Sequence, residues 1–339
     1  MQPKLRAFFT IAFLFLCICS KANKYTVSNI NDGGANSLRE AIDLANQQPG
    51  VDTIIFNIAG IAPHTIRLNS PLPCLMDAAV IDGSYQPANG YNGTSPKIII
   101  DGSTIVPKNL HEPEDISGIV VLAPQCEIYG LYIKNFIGSA IYVMNNDNYF
   151  DGDLNKYAAH GSNFIIGDIN GKGNILSGCH NGILLSKTEN GKITNNKIGT
   201  DETGLNAIPN IYGIVCNSSS KIVIGKLFQN FGRLPNYGLS NLISGNLADG
   251  IGLYSSEDIS INCNYIGTDI SGTSALPNGQ QGITILNSNE VFLHELKALA
   301  EVFHCKSPAS GNHFRKWIKK NREQQMETHF YASLMSWIS

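Results

Sequence analysis

Short alternations of apolar and polar residues recur along the chain, each opened by Gly-Ile, or once by Ala-Ile, at Gly118, Ala140, Gly182, Gly213, Gly250 and Gly282. Within them Ile183 and Leu185, or Ile283 and Ile285, stand two residues apart, the period of a strand with one buried face. Successive motifs are 22, 42, 31, 37 and 32 residues apart. The shortest spacing suits three short strands and three turns; the others read as the same coil with one loop lengthened. Strands rather than helices are therefore expected over most of the chain.

Residues 173–214 and 240–283 are near copies of each other. The offset drifts from 67 at Ser177/Ser244 through 68 at Asp201/Asp269 to 69 at Gly213/Gly282, so each insertion is a single residue in a turn. Self-similarity of this kind marks a stacked repeat. A lone coil leaves its edges open, whereas stacking pairs its main chain with the coils above and below, about 4.8 Å away. Asn174, Asn195, Asn217, Asn241 and Asn264 recur at similar points, and are expected to form amide ladders at the corners. The repeat array is placed at 51–290.

Ahead of it, Ser37 and Glu40 form a capping box for a short helix whose Leu38, Ile42 and Ala45 would lid the first coil, making 23–50 an N-terminal cap. Arg39 and Glu40 are read as helix-surface and capping residues. Residues 291–339 depart from the repeat, with one Gly, four of the eight histidines and a basic cluster at Arg315, Lys316, Lys319, Lys320 and Arg322. Leu293, Leu296, Leu299 and Ala300 have helical spacing, so this tail is read as a helical cap, or alternatively as a foreign or out-of-frame end. Metal binding by His304, Cys305 and His313 is the weakest reading, since their spacing matches no closed site.

The first 22 residues read as an export signal: MQPKLR, then the apolar run AFFTIAFLFLCIC, then Ser20-Lys21-Ala22 with small residues where a signal peptidase requires them. Cleavage is expected near Ala22, leaving no transmembrane anchor. Six cysteines follow, at 74, 126, 179, 216, 263 and 305, but a chain with this much core needs no staples. Cys216, aligned with Leu185, Leu253 and Ile285, and Cys263, alternating with Ile259 and Ile261, are read as buried thiols. Charged residues make up 15% of the chain and the net charge is −3, which argues against nucleic acid as a partner.

These features resemble the bacterial exported right-handed parallel β-helix proteins that carry an N-terminal Ser-Leu-Arg-Glu-Ala motif. The resemblance covers roughly residues 24–290. It rests on NINDGGANSLREAIDLAN at 29–46, PHTIRLNSPLP at 63–73, IDGSYQP at 81–87, IIIDG at 98–102 and the IGTD blocks at 198–210 and 266–278. The family often has Cys before the motif's serine; here the residue is Asn36. The resemblance implies a pectate-lyase-like fold, all-β and wound as a right-handed solenoid, and supplies no catalytic residues to carry over.

Chemistry must therefore come from the side chains. The adjacent Asp pair and Gly-His-Gly of β-helical polygalacturonases are missing, and neither His160 nor His180 has that context. The candidate catalytic residues are Asp201 and Asp269, each in an Ile-Gly-Thr-Asp turn; two coils apart, they would stand ~10 Å from each other, near the upper edge for an inverting pair. Turn chemistry explains them better, as it does Asp82 and Asp101 in Ile-Asp-Gly. In the loop 144–163, Tyr149, Phe150 and Tyr157 are candidate sugar-stacking residues, and Asp147, Asp151 and Asp153 candidate calcium ligands, against a solvated insertion as the simpler account.

No cofactor is required, and the loop could hold calcium. The sequence is read as a secreted or cell-surface monomer, a non-catalytic binding, adhesive or structural module for extracellular polysaccharide. The alternative is a polysaccharide lyase or glycoside hydrolase acting on an acidic or plant-type polymer.

Overall fold

The computed structural model describes residues 22–86, 96–106, 116–145, 161–168, 170–226, 240–294, 296–298 and 303–306. Among them, strands of two to six residues pair in parallel in three sheets, A, B and C, of nine, eight and seven strands. The chain visits the sheets in rotation: Ser220–Gly225 lies in A, Leu242–Ile243 in B, Ile251–Tyr254 in C, and Glu257–Asn262 returns to A beside the first. Parallel strands joined by such crossovers wind with a right hand. The chain is a right-handed parallel β-helix.

Alternation along each strand sends every second side chain inward, and the parallel register stacks like on like. In sheet C, Ile141, Ile183, Ile214, Ile251 and Ile283 form one column and Val143, Leu185, Cys216, Leu253 and Ile285 another. All ten are buried. Each contributes roughly 1.5–3 kcal/mol relative to exposure, so the column sequence itself locks the register. The Gly of the Gly-Ile motif has a separate cause. A Cβ on Gly213 would lie 2.3 Å from the carbonyl oxygen of Gly250, and one on Gly250 would lie 2.7 Å from that of Gly282. At this point the coils approach too closely for any side chain.

Each corner carries its own polar ladder. Between A and B run Asn174, Asn196, Asn241 and Asn264; Asn174 donates from its side chain to Asn196 Oδ1 at 3.0 Å, and Asn241 to Asn264 Oδ1 at 2.9 Å. Between B and C run Asn210, Asn246 and Asn278, and between C and A run Thr188, Ser219, Ser256 and Ser288, where the Ser219, Ser256 and Ser288 hydroxyls accept from the main-chain N–H of the ladder residue in the preceding coil. Two expected members are corrected. Asn195 is the turn residue before the ladder, with φ of 58°, and Asn217 is an exposed strand end on sheet C. Asn196, the residue after that left-handed turn, is the one whose amide meets the neighbouring coils, donating to Asn241 Oδ1 and Ile166 O, whereas the Asn195 side-chain nitrogen is buried without a partner.

The helix Leu38–Ala45 covers the open end with Leu38, Ala41, Ile42 and Ala45. Ser37 accepts from the Glu40 N–H at 3.2 Å, while the Glu40 carboxylate accepts from Asn36 N–H. Arg39 is more than a surface residue: its guanidinium pairs with Asp32 at 2.6 Å and donates to the carbonyls of Asp32, Ser70 and Pro71, tying the cap to the loop after the strand His64–Arg67.

At the other end, the helical expectation for the start of the tail is overturned. Asn289–His294 pairs with Glu257–Asn262, Lys297–Ala298 with Tyr265–Ile266, and Phe303–Lys306 with Ile283–Leu286, continuing all three sheets. Leu293 is buried over Ile261. Its i, i+3 spacing to Leu296 is real, but the open edge of the previous coil offers a complete row of hydrogen-bond partners to a strand. Residues 307–339, including His313, lie outside the described residues, as does the expected export signal up to residue 21.

Candidate functional site

The two Ile-Gly-Thr-Asp turns sit at the B-to-C corner, after the sheet B strands Lys197–Ile198 and Tyr265–Ile266. Asp201 Oδ1 accepts from the Thr203 hydroxyl at 2.7 Å and from Gly204 N–H at 2.9 Å, and its Oδ2 accepts from Asn206 Nδ2 at 2.8 Å. Asp269 Oδ1 accepts from the Ser271 hydroxyl at 2.6 Å and from the N–H groups of Thr273 and Ser274 at 3.3 Å. Burial acts to raise the Asp201 pKa, but the donors of Asn206, Thr203 and Leu205 outweigh it and hold the carboxyl below its ordinary range; the Ser271 hydroxyl leads the same effect at Asp269. Because the intervening corner is short, the two loops touch directly, Ile270 N–H donating to Gly204 O at 3.0 Å. Each carboxylate is occupied in closing its own turn.

Asp82 and Asp101 likewise fold their own Ile-Asp-Gly turns, accepting from Ser84 N–H at 2.9 Å and Ser103 N–H at 3.0 Å. Both also face cations. Lys172 stands 3.6 Å from Asp82, and Arg67 and Lys134 stand 3.9 and 4.0 Å from Asp101. Burial opposes ionisation of Asp101, yet the Asn135 amide, Ser103 and Lys134 together lower its pKa. The Asp82 and Asp101 carboxylates are thus engaged by their own turns and by neighbouring cations.

The sequence-derived candidates Asp147, Asp151, Asp153, Tyr149, Phe150 and Tyr157 lie outside the described residues. Among the described residues no group of three His, Cys, Asp or Glu side chains could hold a metal ion. Nor, among the described residues, is any helix long and apolar enough to cross a membrane.

A different constellation emerges where the B-to-C corner enters sheet C. Exposed His180 and half-exposed Tyr212 bring their rings to 5.7 Å at 44°. One coil further, the Tyr254 ring folds back over Gly252: a Cβ there would lie 2.7 Å from Tyr254 Cε2. Ile211, next to Tyr212 in the chain, and Leu247, whose N–H donates to Asn210 O at 2.9 Å, are 38% and 63% exposed and add apolar surface at the same corner. Asp249 sits at the edge, buried, accepting from Gln281 N–H at 3.0 Å. Burial, then Asp249 and Tyr212, push the Tyr254 phenol upward, so it stays protonated and able to donate a hydrogen bond. Sequence reading missed this strip because its members are 32 to 42 residues apart and share no motif; the Gly-Ile register, which places His180 just before one aligned strand and Tyr212 and Tyr254 at the ends of two others, was the signal that could have found it.

No family model and no curated relative matches the sequence. Among solved structures, a double mutant of the periplasmic alginate epimerase AlgG is similar with a TM-score of 0.40 and 16% identity, over 76% of this chain and 59% of that one. The A-module of the Azotobacter vinelandii mannuronan C-5 epimerase AlgE4 is similar with a TM-score of 0.32 and 12% identity, over 79% of this chain and 76% of that one. This chain thus spans 59% of the length of the AlgG structure.

Proposed function

We propose that the protein is an exported β-helix that holds an extended extracellular polysaccharide against the B-to-C corner and sheet C, without cleaving it. The observation that carries this reading is the strip His180, Tyr212 and Tyr254 with Ile211 and Leu247 beside it. Aromatic rings with polar tips and exposed aliphatic carbons match the two faces of a sugar ring, C–H on one side and hydroxyl on the rim. The regular rise of the coil repeats such contacts along the axis, which suits a polymer better than a small molecule.

Turnover would need two unclaimed carboxylates across a glycosidic bond, or a base beside acidic sugar carbons. Asp201 and Asp269 close their own turns, Asp249 is held by Gln281, and the raised Tyr254 phenol is a donor rather than a base. A panel of polysaccharides tested against the purified chain by affinity electrophoresis, with reducing ends and unsaturated products measured in parallel, decides between binding and cleavage. Retardation by one polymer without new ends is the expected result; product formation would establish the enzyme instead.

A further inference from the structure

We infer that export creates a structural ion pair: hydrolysis of the Ala22–Asn23 bond converts Asn23 into an α-ammonium group that neutralises the buried carboxylate of Asp52. Asp52 opens the strand Asp52–Phe56 at an inward position, in phase with Ile54 and Phe56, and is completely buried. Its Oδ1 accepts from the Asn23 main-chain nitrogen at 2.6 Å, whereas its Oδ2 has no partner. Among the described residues no Lys, Arg or His side chain pairs with it. An ionised carboxylate with one neutral donor and no solvent is a costly arrangement.

The register explains why Asn23 is the partner. Lys24 lies opposite Thr53, so Asn23 falls opposite Asp52, and the Asn23 carbonyl accepts from Thr53 N–H at 2.8 Å. Residue 23 is thus the first one anchored to the coil, while Ala22 is exposed. It is also the first residue after Ser20-Lys21-Ala22, the small-residue pattern that a signal peptidase reads. In the hydrolysis, the C–N bond between Ala22 and Asn23 breaks. Water supplies hydroxyl to the Ala22 carbonyl and a hydrogen to the Asn23 nitrogen, which then takes up a proton. One amide donor becomes three ammonium donors with a full positive charge, enough to satisfy both oxygens of Asp52. The mature fold would then be tighter than the precursor's, with the processing site encoded in the first strand pair.

The test has two parts. The full chain is exported through its own leader and the mature N-terminus read by intact mass; Asn23 is expected, and any other start overturns the inference. Mature chain is then prepared with a free Asn23 amine, with that amine acetylated, and with Ala22 retained. The free-amine form is expected to melt about 3 °C or more above the other two at neutral pH, and Asp52→Asn to abolish the difference. Equal melting of the three forms, or a difference that survives Asp52→Asn, would overturn it. If Asp52→Asn does not fold, the acetylated form decides alone, because it leaves every side chain in place.

Discussion

Asn241 grips Asn196 of the preceding coil twice through one oxygen: its Oδ1 accepts from the Asn196 main-chain N–H at 2.9 Å and from the Asn196 side-chain amide at 3.1 Å. Its own amide then donates to Ile193 O at 2.8 Å and to Asn264 Oδ1 in the following coil. Asn241→Ala strands these groups in a buried corner, and is expected to cost about 3–5 kcal/mol, since each orphaned buried group costs ~1–3. Asn195→Ala, one residue earlier, removes no rung and should cost far less. Denaturant melts of the two variants check the ordering.

Ile251 lies in the middle of a buried sheet C column, between Ile214 and Ile283. Ile251→Asp places an uncompensated charge there, and a loss of about 4 kcal/mol or more is expected, read as collapse of the melting transition. Asp269→Asn keeps an acceptor for the Ser271 hydroxyl and should shift melting only slightly.

Acid should loosen the protein in a defined sense. Asp101, Asp201 and Asp269 all have folded pKa values held below the ordinary carboxylate value. A depressed folded pKa means that the stabilisation is fully present above the unfolded value, roughly pH 4, and is lost as pH falls through the folded one. Glu127 and Asp43, raised chiefly by burial, act in the opposite direction. A thermal scan from neutral to strongly acidic pH is expected to fall below about pH 4, and the fall should be shallower in Asp201→Asn.

Burial pushes the thiols of Cys126, Cys179 and Cys216 up to about 12. They should resist a thiolate-specific reagent in the native protein and react together on unfolding. Mass spectrometry after native and denatured labelling reads this directly.

How much was legible beforehand differs from one level to the next. The columns were, because Ile183, Ile214, Ile251 and Ile283 repeat in phase with the Gly-Ile motif, and like stacks on like in a parallel array. The cap was, because Ser37 and Glu40 signal it locally. The correct ladder residue was not: choosing Asn196 over Asn195 depends on which of two neighbours takes the left-handed turn, information that lives in the stacked coils. The beginning of the tail was misread because Leu293 and Leu296 satisfy a helical period while Val291 and Leu293 satisfy a strand period, and the edge of the preceding coil decided between them. The turn chemistry of Asp201 and Asp269 is visible in Ile-Gly-Thr-Asp, and each accepts hydrogen bonds within its own turn, while His180, Tyr212 and Tyr254 become neighbours only through winding.

The binding surface is read out by affinity for the polysaccharide that retards the wild-type chain. Tyr212→Ala and Tyr254→Ala, with Lys192→Ala on sheet A as control, are to be titrated against that polymer by calorimetry. Each tyrosine variant is expected to weaken binding about tenfold, equivalent to about 1.4 kcal/mol, with melting temperature nearly unchanged and the control binding like wild type. Undiminished affinity in the tyrosine double variant would contradict the account.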